Sequence, residues 1–335
     1  MRALLFQLDG KLPNLALMRL SADIKARDGA VLFRRTEQPE RTLWEQDTPD
    51  AVYASAIFTR SRPVVERLKR AYPNAAVGGS GVRVNSSLEE IGILSAGPLD
   101  YSLYPDFRSS IGFTQRGCRL RCPFCIVPEK EGHVREQATV YDVWRGDPHP
   151  RELLLLDNDF FGQPRWRERI SEIREGRFRV SFCQGINLRC LSEEAAEAIA
   201  SIDYRDDGMG RKRIYTAWDN KNDEQRLFAG LNRLVKYGVL PDHIMVYMLI
   251  GYWQGESDAD RLYRQQKLRD FGCRPYPMPY VRTPELVGFQ RWVVGAYDKR
   301  ISWSEWKQAN CRPEHLVQGA ASEQLRLFSG PLPRS

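Results

Sequence analysis

The sequence has no apolar run approaching the roughly 18 residues that a membrane-spanning helix needs. A signal-peptide pattern is also missing. The opening MRALLFQLDGK turns acidic and glycine-containing at Asp9-Gly10, as a first core strand running into a loop does. There is no internal repeat and no low-complexity segment, which argues against a solenoid or a compositionally disordered chain. Histidine is scarce, with four in 335 residues, and the first of them is His133. These absences lead to the expectation of a cytoplasmic globular protein with no membrane contact.

What is present fits that class. Hydrophobic residues make up 42% and charged residues 28%, enough for one large domain or two moderate ones with a full core. The formal net charge of +7 is modest for the length, but about four arginines occur for every lysine. Arginine is the better residue for phosphate and base contacts, although a GC-rich genome raises arginine everywhere. The charge therefore permits a nucleic-acid partner and does not establish one. Seven cysteines in a reducing compartment do not read as a disulfide framework, so their spacing is read for metal or redox chemistry.

Along the first hundred residues, apolar strands alternate with helical patterns. Ala3–Leu8, Ala51–Ile57 and Ala75–Val77 read as strands, and Pro13–Ala26 and Pro63–Ala71 as helices. That alternation predicts a small doubly wound (flavodoxin-like) parallel α/β domain over 1–105. A linker rich in turn-formers follows. The alternation then resumes with strands at Ile111–Thr114, Glu152–Leu156, Arg179–Cys183, Arg213–Trp218, Ile244–Ile250 and Cys273–Met278. Helices are predicted at Val140–Trp144, Arg165–Glu175, Glu193–Ile202, Glu224–Tyr237 and Asp258–Phe271. Six strand–helix units predict a partial (β/α)6 TIM-type barrel over 106–285, whose strand ends converge on one mouth. A helical extension over 286–335, with Trp292, Trp303 and Trp306, is expected to pack against it.

The sharpest feature is Gly117-Cys118-Arg119-Leu120-Arg121-Cys122-Pro123-Phe124-Cys125, directly after the first strand of the second region. Three thiolates on a tight loop can ligate three irons of a [4Fe–4S] cluster and leave the fourth iron open to a substrate or cofactor. Phe124, just before the third cysteine, can shield such a cluster and pack near a nucleoside. A structural zinc site using Cys118, Cys122, Cys125 and His133 is an alternative, although four-ligand zinc sites more often use paired C-x2-C knuckles. Three incidental buried cysteines are another.

This C-x3-C-x-Φ-C pattern, in that place, resembles the radical S-adenosylmethionine superfamily. The resemblance covers about Ser110 to Tyr280 and implies a [4Fe–4S] cluster on Cys118, Cys122 and Cys125. In that family the cluster binds the amino and carboxylate groups of S-adenosylmethionine and passes it one electron. The resulting 5′-deoxyadenosyl radical abstracts hydrogen from a substrate. The wider run from Thr114 to Gly132, with Leu8-Asp9-Gly10 and Pro13–Met18, is similar to uncharacterised bacterial and phage members. An external electron donor of the flavodoxin or ferredoxin type is implied.

The resemblance also assigns cofactor contacts. Asp157 and Asp159 stand where the family carries a Gly-Gly-Glu-like segment for the methionine amine, although an Asp/Asn helix cap reads equally from Asp157–Phe160. Gln184, Asn187 and Arg189 follow the third strand, with Arg189 able to pair with the methionine carboxylate. Asp219 follows the fourth strand and Gly251 the fifth, near the adenine. Asp9, Arg116 and Trp218 are the candidates for substrate contact. Cys183, Cys190, Cys273 and Cys311 are read as core or incidental thiols.

The order of a small doubly wound domain before a radical barrel resembles cobalamin-dependent members, and Gly78-Gly79-Ser80-Gly81 fits that group. No histidine precedes His133, so no lower axial ligand comes from this domain, and cobalamin is not expected. Basic residues interleave with aromatics over Arg165–Arg169 and Arg174–Arg179, and Arg211-Lys212-Arg213 adds a third run. They can hold a phosphate backbone or simply form solvated helix faces. The expected substrate is a nucleic-acid base or nucleotide-linked group, with base hypermodification one possibility. A cobalamin-assisted radical methyltransferase and a zinc-stabilised nucleic-acid-binding module are the alternatives.

Overall fold

The computed structural model describes residues 1–40, 48–93 and 97–311. By its contacts the chain divides into two compact units, Met1–Arg108 and Ser109–Ser335, against the expected boundary after residue 105. Part of the expected helical extension, residues 312–335, lies outside the described residues.

In the first unit the strands are β1 (Arg2–Gln7), β2 (Ala30–Arg35), β3 (Ala51–Ser55) and β4 (Ala76–Gly78), with helices α1 (Leu15–Ala26) and α2 (Arg62–Ala71). They form one parallel sheet in the order β2-β1-β3-β4. Alternation along β1 explains the layering. Ala3 and Leu5 face Leu17, Leu20 and Ile24 of α1, while Leu4 and Phe6 face Val65 and Leu68 of α2. β2 is not evident from the sequence because it is an edge strand with Leu32 56% exposed, so no buried apolar run marks it.

The second unit contains β5 (Ser110–Gly112), β6 (Gln115–Arg116), α3 (Val127–Lys130), β7 (Arg135–Glu136), α4 (Val140–Val143), β8 (Glu152–Leu155), α5 (Trp166–Glu175) and β9 (Arg179–Phe182). It continues with α6 (Glu193–Ala200), β10 (Asp203–Tyr204), β11 (Ile214–Ala217), α7 (Glu224–Lys236), β12 (Ile244–Ile250), α8 (Asp258–Asp270), β13 (Arg274–Pro279), α9 (Pro284–Val294) and α10 (Trp303–Asn310). Two parallel sheets result, β10-β9-β8-β5 and β11-β12-β13, with β6 and β7 pairing as a short antiparallel ladder. The backbone N–H of Ile186, just past β9, donates to Tyr215 O in β11 at 2.7 Å and ties the two sheets together.

One core serves both sheets. Leu153 and Leu155, Val180 and Phe182, and Val246, Met248 and Ile250 meet the apolar stripes of α5 to α9. The intervening Leu154, Ser181 and Tyr247 point to the opposite face. Trp292 and Trp303 join the same core, so α9 and α10 are part of this unit rather than an appendage. Helix starts are set by local chemistry: Thr139/Asp142, Ser257/Asp260 and Ser302/Glu305 form capping boxes.

Candidate cysteine-loop site at the strand ends

Parallel strands present their C-terminal ends on one edge. β5 runs into the cysteine loop, β8 into Asp157–Asp159, β9 into Gln184–Arg189, β11 into Trp218-Asp219 and β12 into Gly251–Glu256. The loop is a closed excursion. β6 and β7 pair at its base through Gln115↔Glu136 and Arg116↔Arg135. Just inside, Cys118 N donates to Gly132 O at 3.4 Å. Gly117 is required there: its φ is +80°, and a Cβ would collide with the His133 carbonyl.

Each cysteine sulfur receives a donor. Leu120 N reaches Cys118 Sγ at 3.4 Å, Arg189 Nη2 reaches Cys122 Sγ at 3.7 Å, and Val127 N donates to Cys125. The turn between the last two is closed by Cys125 N to Cys122 O at 3.0 Å. Burial pushes the Cys118 thiol up to about 11 and raises Cys125, with the other sulfurs adding to both. Both of these thiols therefore hold their protons more tightly than a free cysteine, and a bound cation would have to displace them. Among the described residues, no group of three or more His, Cys, Asp or Glu side chains is placed to hold a single metal ion. The donor set is nevertheless the right chemistry for an iron–sulfur cluster: three thiols on one loop, each already supplied with a hydrogen-bond donor of the kind that tunes cluster sulfurs.

The segment after β8 does something other than expected. Asp157 is fully buried, and its carboxylate accepts Thr114 N at 2.7 Å, Gln115 N at 3.2 Å and the Thr114 hydroxyl. Asn158 Oδ1 accepts Gly117 N at 3.2 Å. Asp159 takes the Arg119 side chain in a fork, Nε to Oδ2 at 2.9 Å and Nη2 to Oδ1 at 3.2 Å, and the Arg119 N–H at 3.3 Å. Both aspartates are thus engaged with the arm that carries the cysteines. Neither carboxylate faces outward to receive an amine. Thr114, Gln115, Asn158 and Arg119 enter the site only through the structure; in the sequence nothing marks Arg119 beyond its place between two cysteines.

Burial pushes Asp157 up to about 7 against the three hydrogen bonds it accepts. Its folded value lies above the unfolded one, so between about pH 4 and 7 the unfolded chain has lost a proton that the folded chain keeps. Stability attributable to Asp157 should then fall as pH rises through that window, by at most about 1.4 kcal/mol per unit, and level off above about 7. Urea unfolding of wild type and Asp157→Asn across pH 4–8 checks this: the difference between the two curves should slope through the window, and a flat difference would refute it.

On the other side of the loop, Arg189 Nη1 pairs with Asp223 at 2.7 Å and its Nε donates to Asn187 at 3.1 Å. Asp219 is pushed up to about 6 by burial, opposed first by the Arg189 charge and then by the Leu249 N–H at 3.3 Å. Phe124 meets Tyr252 edge-on at 5.5 Å and Trp253 at 6.4 Å. The Trp253 indole N–H reaches Asp219 O at 2.7 Å. Gly251 (φ +76°) donates its N–H to Glu256 at 2.6 Å, and a Cβ there would strike Leu286. The structure thus brings Cys122, Cys125, Arg189 and Asp219 together, with Phe124 and the Gly251 turn joined through aromatic contacts.

Other expected site residues lie elsewhere. Trp218 is 1% exposed in the core, beyond a substrate's reach, because its strand position turns it towards Phe228 and Tyr263. Arg116 is held internally by Glu131 at 3.0 Å and lies over the Phe113 ring. Asp9 belongs to the first unit. Its carboxylate accepts Ile57 N at 2.8 Å, Phe58 N at 2.9 Å and Ser61 Oγ at 2.6 Å, binding the loop after β3. Gln184 is exposed. Cys183 is pushed up to about 12 by burial and Cys273 lies in the core.

Several cations of the basic runs have acidic partners. Arg165 pairs with Glu136 and Glu168, Arg167 with Glu194, and the buried Arg169 with Glu172. Arg213 donates to Asp242 O and Lys212 faces Asp203. Three cations without a carboxylate partner among the described residues, Arg35, Arg60 and Arg62, lie at the C-terminal edge of the first unit's sheet. Arg35 donates to Gly10 O, Arg62 to Gly81 O, and Arg60 lies over the Phe58 ring.

Compared with protein-family models and with curated proteins, the chain matches none. No helix among the described residues is long and apolar enough to cross a membrane.

Proposed function

We propose that this chain is a radical S-adenosylmethionine enzyme. On this proposal β5, β8, β9, β11, β12 and β13 form the strands of a partial (β/α)6 TIM-type barrel, and the first unit is a flavodoxin-like module that does without cobalamin. The observation that carries it is the loop itself: three cysteines on one closed excursion at the strand ends, each sulfur supplied with a donor. Cys118, Cys122 and Cys125 would hold a [4Fe–4S] cluster, which when bound supplies one electron for reductive cleavage of S-adenosylmethionine.

The chain's own residues then have separable tasks. Arg189, anchored by Asn187 and Asp223, presents a fixed cation beside Cys122 that suits a carboxylate. Asp219, within electrostatic reach of Arg189 and Cys125, is an acceptor at the same mouth. Phe124, Tyr252 and Trp253 provide an apolar wall for a nucleobase and limit water around the site. The proposed substrate is a nucleic-acid base or nucleotide, supported by the unneutralised arginines on the first unit's sheet edge.

Anaerobic reconstitution with iron and sulfide tests the class. The protein should take up about four irons per chain and, with dithionite, convert S-adenosylmethionine to 5′-deoxyadenosine. Zinc bound in place of iron would overturn it. Single-stranded oligonucleotide that leaves the rate of deoxyadenosine formation unchanged, while a free nucleotide raises it, would narrow the substrate to the small molecule.

A further inference from the structure

We propose that the Asp159–Arg119 pair is a positioning device that holds the cysteine loop ready for its metal group, with Asn158 and Asp157 fixing the arm behind it. The inference rests on the cluster proposed for Cys118, Cys122 and Cys125 and concerns what the segment after β8 contributes to that site.

Three consecutive side chains grip one short arm. Asp157 takes Thr114 and Gln115, Asn158 takes Gly117, and Asp159 takes Arg119. The grip is reciprocal: Gln115 Oε1 accepts Asp159 N at 3.3 Å, and Gln115 Nε2 donates to Gly117 O. The Asp159 carboxylate occupies the space that a side chain at position 162 would fill, so Gly162 is what lets the anchor sit here. Arg119 is what that anchor holds.

Arg119 lies between Cys118 and Cys122, and its side chain is 36% exposed while that of Asp159 is 2% exposed. It belongs to none of the hydrophobic cores. An exposed ion pair contributes little to stability, but here one carboxylate is buried and accepts two hydrogen bonds from Arg119, from its Nη2 and its backbone N–H, beside the Nε ion contact. From Leu120 to Cys125 the described backbone bonds are local, Leu120 N to Cys118 Sγ and Cys125 N to Cys122 O. Without the fork at residue 119, ordering this stretch would have to be met when the metal binds. The fork at residue 119 is the long-range side-chain tie on this stretch of the loop, so loop pre-ordering depends on it directly.

The experiment compares wild type, Arg119→Ala, Arg119→Lys, Asp159→Asn and the double variant R119A/D159N after anaerobic reconstitution. The readouts are iron and sulfide per chain, the rate at which a ferrous chelator strips the iron, and the melting temperature of the metal-free protein. R119A should lose iron about 10–100-fold faster, the usual penalty for removing an outer partner of a metal ligand. Its metal-free melting temperature should also fall, because the buried Asp159 carboxylate loses its cation. R119K should lose iron at an intermediate rate. The double variant, which removes that stranded charge, should regain melting temperature while losing iron no faster than the worse single. Wild-type iron retention in R119A, or additive losses in the double variant, would overturn the inference while leaving the proposed cluster intact. A wild type that takes up no iron and sulfide would overturn both. The double variant removes the buried charge together with its cation, so its iron loss at a recovered melting temperature separates loop ordering from the cost of a stranded carboxylate.

Discussion

Cys122→Ala should abolish the iron–sulfur cluster while leaving the fold in place. Iron after reconstitution should drop from about four per chain to near the level of unreconstituted protein, and deoxyadenosine formation should drop to that of cluster-free chain. The reason is positional. Cys122 is the middle of the three proposed ligands, Cys125 N closes its turn onto Cys122 O, and its sulfur is the one that Arg189 approaches at 3.7 Å. Removing it leaves two thiols separated by seven positions and a guanidinium with one partner fewer. Cys122 is not part of any hydrophobic core, so the melting temperature should hold. Cys273→Ala is the matched control: that thiol is 2% exposed within the core, so its loss should lower stability by about 1 kcal/mol and leave iron untouched. Full iron in Cys122→Ala, or iron loss in Cys273→Ala, would refute the assignment.

Arg264→Ala should be the most destabilising single substitution of a charged residue. Arg264 is buried, with Nη1 donating to Trp218 O at 2.9 Å and Nη2 to Leu249 O at 3.0 Å, and it forms an ion pair with Glu256. Glu256 in turn accepts Gly251 N. One guanidinium thereby joins the end of β11, the end of β12 and the turn that carries Gly251, Tyr252 and Trp253. Truncation strands a carboxylate only 7% exposed, whose other cation, Arg261, stands at 3.5 Å. Breaking a buried pair from one side costs about 3–5 kcal/mol, a large part of the roughly 5–15 kcal/mol typical of a domain. Urea unfolding should show the loss as a lower midpoint with an unchanged slope. Glu256→Gln added to Arg264→Met should recover much of it, because the charge disappears while Gly251 N keeps an acceptor. A loss below about 1 kcal/mol in Arg264→Ala would show that the pair contributes little.

The division between sequence and structure is physical. Strands β8, β9, β11 and β12 were legible because each is a short apolar run bounded by turn-formers, buried against a helix layer. β2, β6, β7 and β10 were not, being edge or two-residue segments whose pairing is decided by neighbours distant in the chain. Residues 157–159 show the same limit within the site. Acidic residues after a strand can bind a ligand, cap a helix or grip another loop, and the choice depends on what lies opposite. Here Thr114, Gln115, Gly117 and Arg119 lie opposite, some 40 residues earlier in the chain.

Trp218 and the arginine runs make the point from the other direction. Composition marked them as candidates for contact with a partner, yet Trp218 is enclosed by Phe228 and Tyr263, and Arg165 and Arg167 have acidic partners from other elements. The sequence by itself determined the α/β class, the order of most elements and the three clustered cysteines, since these depend on local periodicity and spacing. Only the tertiary structure decided that Arg189 supplies the Cys122 sulfur with a donor, which carboxylates grip the loop and which acidic residues pair with the arginine runs. Those are contacts between residues far apart in the chain, and spacing along a sequence carries no record of them.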